Sequence, residues 1–235
     1  MISKKHRLAF TLAETLITLG IIGIVAAITL PTLINTYKKA VTISQLKKSY
    51  SILEQTIKMA ERDYGTINDW EEWNDAEPIL NKYFLPYLKG AKVYGKTSDY
   101  KKAMCYEPNS KLFTNADDGH LYNWLDGVHI ATPFYNKTAS IRLSDGTCIG
   151  LNPSGVAYDK YVSIDINGSS RGPNIAGKDL FFYTITSKGI KPVGYDWDYD
   201  TLSQTSTRNA CNNSATFGGL VCAAKIMAEG WKINY

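Results

Sequence analysis

The sequence lacks the short motifs that mark most enzymes and metal sites. Its three histidines form no H-E-x-x-H pattern, its four cysteines include no Cys-x-x-Cys pair, and no phosphate-binding glycine loop is present. His120 and His129 lie in loop-like sequence, where a structural histidine is the usual outcome. Residues 168–172 match G-x-S-x-G around Ser170, but Pro173 follows where a nucleophile elbow needs a helix. We therefore expect a protein that is not an enzyme.

The sequence also has little excess charge beyond its first nine residues. The formal net charge is +4, and Lys4, Lys5 and Arg7 supply three of these charges, which leaves +4 − 3 = +1 for the rest of the chain. That balance requires no nucleic-acid partner and leaves the question of one open. A hydrophobic fraction of 44% excludes a disordered chain, and 235 residues suffice for one domain plus an anchor.

A long apolar run lies near the N-terminus. From position 10 to position 30, a span of 21 residues, Glu14 is the only charged residue, and about 20 apolar residues cross a bilayer as a helix. The basic residues before the run predict a cytoplasmic N-terminus. A plain anchor or a signal peptide cut near Ala27 leaves Glu14 unexplained, and a buried core helix leaves the basic start unexplained.

The helical pattern continues beyond this run. Pro31 predicts a bend, because it removes a backbone donor. We predict a transmembrane helix over residues 10–30 and an amphipathic continuation over residues 31–62, followed by a globular head over residues 63–235. The apolar stripe of the continuation consists of Ile34, Tyr37, Val41, Leu46, Tyr50, Leu53, Ile57 and Ala60.

Short elements are predicted within the head. Residues 91–136 are typical of loops. A long N-terminal helix packed on a small antiparallel sheet, which is an α+β fold, fits this order. The predicted elements are a helix within 76–87, a hairpin over 141–151, strands at 161–166 and 179–186, and a helix at 220–229.

The N-terminal motif resembles a known family. The residues L-A-F-T-L-A-E at positions 8–14, followed by the apolar helix and Pro31, are similar to the start of type IV pilins and type II secretion pseudopilins. The resemblance implies a pilin-like version of the α+β fold. It also implies that a prepilin peptidase removes residues 1–9 by cutting between Ala9 and Phe10, although Ala9 stands where the family usually has Gly, and then methylates Phe10.

The same resemblance implies an assembly role. Glu14 falls on the family's acidic position, which attracts the amino terminus of a neighbouring subunit, and Pro31 falls on its helix-bending proline. We expect a filament subunit of a type IV pilus-like or type II secretion pseudopilus assembly, anchored in the inner membrane and then placed in a periplasmic or cell-surface filament. Its partners would be the peptidase, other pilin-like subunits and an inner-membrane assembly platform. The alternative is a minor or tip subunit that binds DNA, a surface or a secreted substrate.

Four cysteines follow the apolar run, and an even number there predicts disulfides. Sequence alone leaves three pairings open. Because many pilins have a C-terminal disulfide loop, the resemblance implies the pair Cys211–Cys222, which leaves Cys105 with Cys148.

Three late residues are candidate calcium ligands, since some pseudopilins hold calcium in a loop late in the chain. They are Asp165, Asn167 and Asp179. Their spacing does not match the twelve-residue calcium loop, and the favoured alternative is that they form a turn. We expect no other cofactor.

Overall fold

The computed structural model describes residues 11–70, 73–97, 105, 122–127, 138–152, 160–204 and 209–235. The chain forms two compact units, Met1–Val41 and Thr42–Tyr235. The predicted leader lies outside the described residues.

One helix, α1 (Leu12–Tyr64), accounts for the described part of the first unit and continues into the second. Its predicted end near Arg62 is confirmed to within two residues. Gly65 follows with φ of +84°, and its N–H donates to the carbonyl of Glu61 at 3.0 Å. A left-handed glycine of this kind is a common end for a helix, because other residues are strained there.

The second unit contains a mixed helical segment after α1. It begins with α2 (Ala76–Ile79), which Asp75 caps by accepting a hydrogen bond from the Glu77 N–H. A π-helical turn (Leu80–Phe84) and a 3₁₀ turn (Leu85–Tyr87) follow. The short helix predicted within 76–87 is therefore present, but it changes its hydrogen-bonding pattern twice.

In the part of the chain that the structure describes, six antiparallel strands form one sheet in sequential order. The predicted hairpin and both predicted strands are confirmed. The loop predicted from residue 91 onward is wrong over residues 92–97, which form a strand, and the last strand was not predicted. The strands are β1 (Lys92–Thr97), β2 (Thr138–Arg142), β3 (Cys148–Asn152), β4 (Tyr161–Asp165), β5 (Leu180–Thr186) and β6 (Gly189–Pro192).

The C-terminal part of α1 packs against this sheet. Leu46 and Leu53 are fully buried in the core, and the Tyr50 ring stacks on Tyr183 of β5 with centroids 5.6 Å apart. The sheet supplies a continuous apolar row, because its register aligns Ile141, Ile149, Ile164 and Phe181 across β2 to β5, and all four are fully buried. This is the predicted α+β arrangement of a long helix with an antiparallel sheet.

Two disulfides close the second unit, and both predicted pairings are confirmed. Cys105 is bonded to Cys148 at the start of β3, and Cys211 is bonded to Cys222. Cys222 begins α4 (Cys222–Ala228), and a shorter helix, α3 (Tyr199–Ser203), precedes it. The helix predicted at 220–229 is confirmed with slightly shorter bounds.

Candidate functional site

The N-terminal turn of α1 contains the first candidate, Glu14. Its carboxylate accepts hydrogen bonds from the backbone N–H and the hydroxyl of Thr11, both at 2.8 Å. In return, the Glu14 N–H donates to the Thr11 hydroxyl at 3.3 Å. This reciprocal pair is a capping box, which satisfies backbone donors that a helix start leaves free. Ala9 and Phe10, the predicted cleavage site, lie outside the described residues.

The threonine hydroxyls in the apolar run after Glu14 form hydrogen bonds within the helix itself. The hydroxyls of Thr15, Thr18 and Thr29 donate to carbonyls three or four residues earlier, at 2.8 to 2.9 Å. Threonine hydroxyls bonded in this way need no water. By length and composition, α1 can cross a membrane, and the apolar window that meets this criterion buries none of its residues within the protein.

Pro31 lies inside α1, which continues on both sides of it. The bend predicted there stays a prediction.

The predicted calcium ligands come together with a residue that sequence reasoning missed, Tyr122. We call this group the aspartate cluster: Tyr122, Asp165, Asn167 and Asp179. Asp165 ends β4 and is fully buried. Its Oδ1 accepts from the N–H groups of Asn167 (3.2 Å) and Gly168 (2.7 Å), and its Oδ2 accepts from the Tyr122 hydroxyl at 2.7 Å.

Asp179 fixes the other half of the cluster, immediately before β5. Its Oδ1 accepts from the Ile175 N–H and its Oδ2 from the Asn174 N–H, both at 2.7 Å. The side-chain amide of Asn167 reaches the same Oδ2 at 3.5 Å. Because the two carboxylates bind the backbone amides of residues 167–168 and 174–175, they stabilise two segments of the connection between β4 and β5.

Burial shifts the titration of the aspartate cluster. Burial and the nearby Asp179 charge raise the pKa of Asp165 to about 7, against opposing hydrogen bonds from Tyr122 and two backbone amides. Burial likewise raises the pKa of Asp179 to about 6. Burial and then the Asp165 charge raise the pKa of the Tyr122 hydroxyl well above its usual value. The cluster therefore retains a proton more readily than free carboxylates do.

The contacts of the aspartate cluster support a turn-forming role. All four carboxylate oxygens accept hydrogen bonds from N–H or O–H groups of the protein, as aspartates that stabilise turns do. The described part of the chain holds no group of three or more His, Cys, Asp or Glu residues placed for a metal. The turn-forming alternative is the one that this geometry supports.

The G-x-S-x-G match forms part of the same connection. The Arg171 N–H donates to the Gly168 carbonyl at 2.9 Å, which closes a turn, and no helix follows it. Ser169 is buried and Ser170 is exposed. The turn lacks the strand-to-helix geometry of a nucleophile elbow. His120 and His129 lie outside the described residues.

A family model described as a family of unknown function (DUF6613) matches residues 32–235. The match contains the second unit completely and begins after the apolar run. No curated protein and no solved structure gives a significant match.

Proposed function

The chain belongs to this family of unknown function, DUF6613, and we propose that it is a structural, non-catalytic subunit of a filament of the type IV pilus or type II secretion pseudopilus class. The observation that carries the proposal is the N-terminal part of α1, which exposes an apolar surface that ends in a capped carboxylate. The resemblance of positions 8–14 to prepilins supports the same function.

The apolar part of α1 exposes side chains that are more stable when buried away from water. Twelve large aliphatic residues between Leu12 and Ile34 are exposed, each by roughly half or more of its surface. Burying one such side chain is worth about 1.5–3 kcal/mol, so covering all twelve is worth on the order of 20 kcal/mol. A bilayer provides this cover before assembly, and helices of neighbouring subunits provide it in a filament.

Glu14 gives the assembled helices their axial register. Apolar side chains slide past one another at little cost, whereas a wrong register leaves a carboxylate and its partner unpaired in a medium of low dielectric constant. The partner in this proposal is the amino terminus of a neighbouring subunit, freed when the prepilin peptidase cuts between Ala9 and Phe10. The head then lies on the outer side of the inner membrane, where its two disulfides form.

Because Glu14 is part of a capping box, its charge and its capping role can be tested separately, which a truncation to alanine cannot do. Glu14→Gln keeps the hydrogen-bond acceptor, since Gln also forms capping boxes, but removes the charge. Thr11→Ala removes the cap hydroxyl and keeps the charge. We expect Glu14→Gln to insert in membranes as the parent does but to yield at least about tenfold fewer sheared filaments, and Thr11→Ala to assemble well. Glu14→Asp, which keeps the charge at shorter reach, should be affected less than Glu14→Gln.

The measurement is sheared filament against membrane-held subunit, in cells that express the complete assembly system. If Glu14→Gln assembles like the parent, the charge is not needed and the register mechanism is wrong. If Thr11→Ala fails as severely as Glu14→Gln, the residue acts through the cap instead. Mass spectrometry of the mature protein checks processing, which should leave a methylated Phe10 as the first residue; an intact Met1 would remove the prepilin interpretation.

A further inference from the structure

A small cavity lies where two turns of the sheet meet. The turn between β2 and β3 contains Gly146, and the turn after β4 contains Gly168. A Cβ on Gly168 would lie 2.7 Å from the Gly146 carbonyl oxygen, so the two backbones are in direct contact. Both glycines have positive φ, +96° and +81°, which other residues rarely adopt. The aspartate cluster stabilises the turn after β4, because the Gly168 N–H donates a hydrogen bond to the Asp165 carboxylate.

The cavity has a volume of about 150 Å³ and a lining with basic and hydroxyl side chains. Arg142 comes from the end of β2, and Arg171 and Ser170 come from the turn after β4. None of the described residues that line it is acidic. Organic cofactors and drug-sized ligands need roughly 300–1,000 Å³, so the cavity fits only a small ion or one terminal group of a larger molecule.

The two charged side chains among the described residues that line the cavity, Arg142 and Arg171, are both basic. The Arg142 guanidinium is 5.7 Å from the centroid of the Tyr94 ring, and the Lys92 ammonium lies 5.2 Å from the same centroid. Asp145 is adjacent to the lining in sequence, but its carboxylate is 2.7 Å from the Lys48 ammonium, which offsets its charge. The side chain of Arg171 is exposed and makes no ion pair with any residue that the structure describes.

We propose that this cavity binds a small oxyanion of the phosphate or sulfate class. Guanidinium groups match the geometry of such anions with paired N–H donors, and Arg171 is placed to act in this way, with the Ser170 hydroxyl as a further donor. Arg142 adds a second positive charge to the lining. The G-x-S-x-G segment is thus a binding turn, and this proposal does not depend on the proposed filament function.

The test uses the full-length chain in an uncharged detergent. Isothermal titration calorimetry measures binding of inorganic phosphate and sulfate, and of phenyl phosphate as a monoester. Saturable binding that Arg171→Ala weakens by about tenfold or more would support the proposal, because hydrogen bonds to charged groups are typically of this strength. Binding of inorganic phosphate alone would identify a free ion as the ligand, whereas equal binding of the monoester would identify the end group of a larger molecule.

Lys188→Ala is the matched control. It also removes one exposed positive charge, but it lies in the β5–β6 turn, at the opposite end of the antiparallel sheet from the cavity. A strand of five residues is about 17 Å long, which exceeds the screening length of about 8 Å at physiological salt. The control should therefore bind phosphate within about twofold of the parent. No saturable binding at about 10 mM anion, or equal loss in Arg171→Ala and Lys188→Ala, would overturn the site.

Discussion

Leu19 and Leu53 lie in the same helix, yet the first is 65% exposed and the second is fully buried. In the first unit, the large aliphatic side chains of the helix are exposed. In the second unit, the same helix supplies part of a core. One continuous helix therefore places its side chains in two environments, so a mutation must be judged by the unit in which it lies.

Removing the disulfides, which lie only in the second unit, should lower the free energy of unfolding more than any other change considered below. In the chain-entropy model, the pair separated by 43 residues stabilises the fold by about 4 kcal/mol and the pair separated by 11 residues by about 3 kcal/mol. Replacing Cys105 and Cys148 by Ala should therefore lower the free energy of unfolding more than replacing Cys211 and Cys222.

Denaturant titration followed by tryptophan fluorescence measures this difference, with carbonate extraction as the control for membrane attachment, which should not change. Equal denaturation midpoints for the oxidised parent and both variants would show that the disulfides contribute nothing to stability.

The next effect compares the two leucines directly. Leu53→Ala removes a fully buried side chain and should cost about 2–5 kcal/mol in the free energy of unfolding. Leu19→Ala makes the same chemical change in the first unit and should leave the unfolding of the head unchanged within about 0.5 kcal/mol. The same denaturant titration measures both, and a comparable loss in Leu19→Ala would mean that the two parts of α1 do not have separate environments.

The smallest effect is a pH dependence within the second unit. A raised carboxyl pKa in the folded state gives stability that is fully present below about pH 4 and is lost as the pH rises through 6 and 7. We expect the free energy of unfolding to fall by about 2–4 kcal/mol between about pH 5 and 8, because each shifted carboxyl contributes about 1.4 kcal/mol per pH unit below its folded pKa, which corresponds to roughly 5–15 °C in Tm.

Asp165→Asn should flatten this slope, because its amide can still accept from the backbone and donate to Tyr122. Asp198→Asn is the control. Asp198 has a lowered pKa, caused first by hydrogen bonds from Thr201, so it titrates below this range. A slope that Asp165→Asn leaves intact would place the titrating group elsewhere.

The strongly periodic elements of the fold could be predicted from the sequence, and the edge strands could not. α1, the β2–β3 hairpin, β4 and β5 have apolar patterns that reflect their burial. β1 contains Gly95 and two lysines, and β6 is only four residues long with Gly189 and Pro192 at its ends. Their strand conformation comes from pairing with β2 and β5, which no local pattern encodes.

The sequence identified most residues of the candidate sites, but it predicted only part of what their side chains bind. Asp165, Asn167 and Asp179 do come together, but the backbone amides that occupy their oxygens follow from the turn conformation, which residue types do not reveal. Tyr122 is 43 residues from Asp165 in sequence and has no motif around it. The T-L-A-E of positions 11–14 also matches the sequence signature of the capping box, which is Thr followed three residues later by Glu.

The sequential strand order has a consequence for how the head folds. Each strand pairs with the strand that precedes it in the chain, so a chain delivered from its N-terminus can add strands in the order of their arrival. From β2 onward the paired strands are close in sequence, and local pairing of this kind shortens the search for native contacts and favours fast folding. The β1–β2 pair is not local, because it matches Lys92 with Arg142. The Cys105–Cys148 bond then joins the segment that precedes β2 to the start of β3.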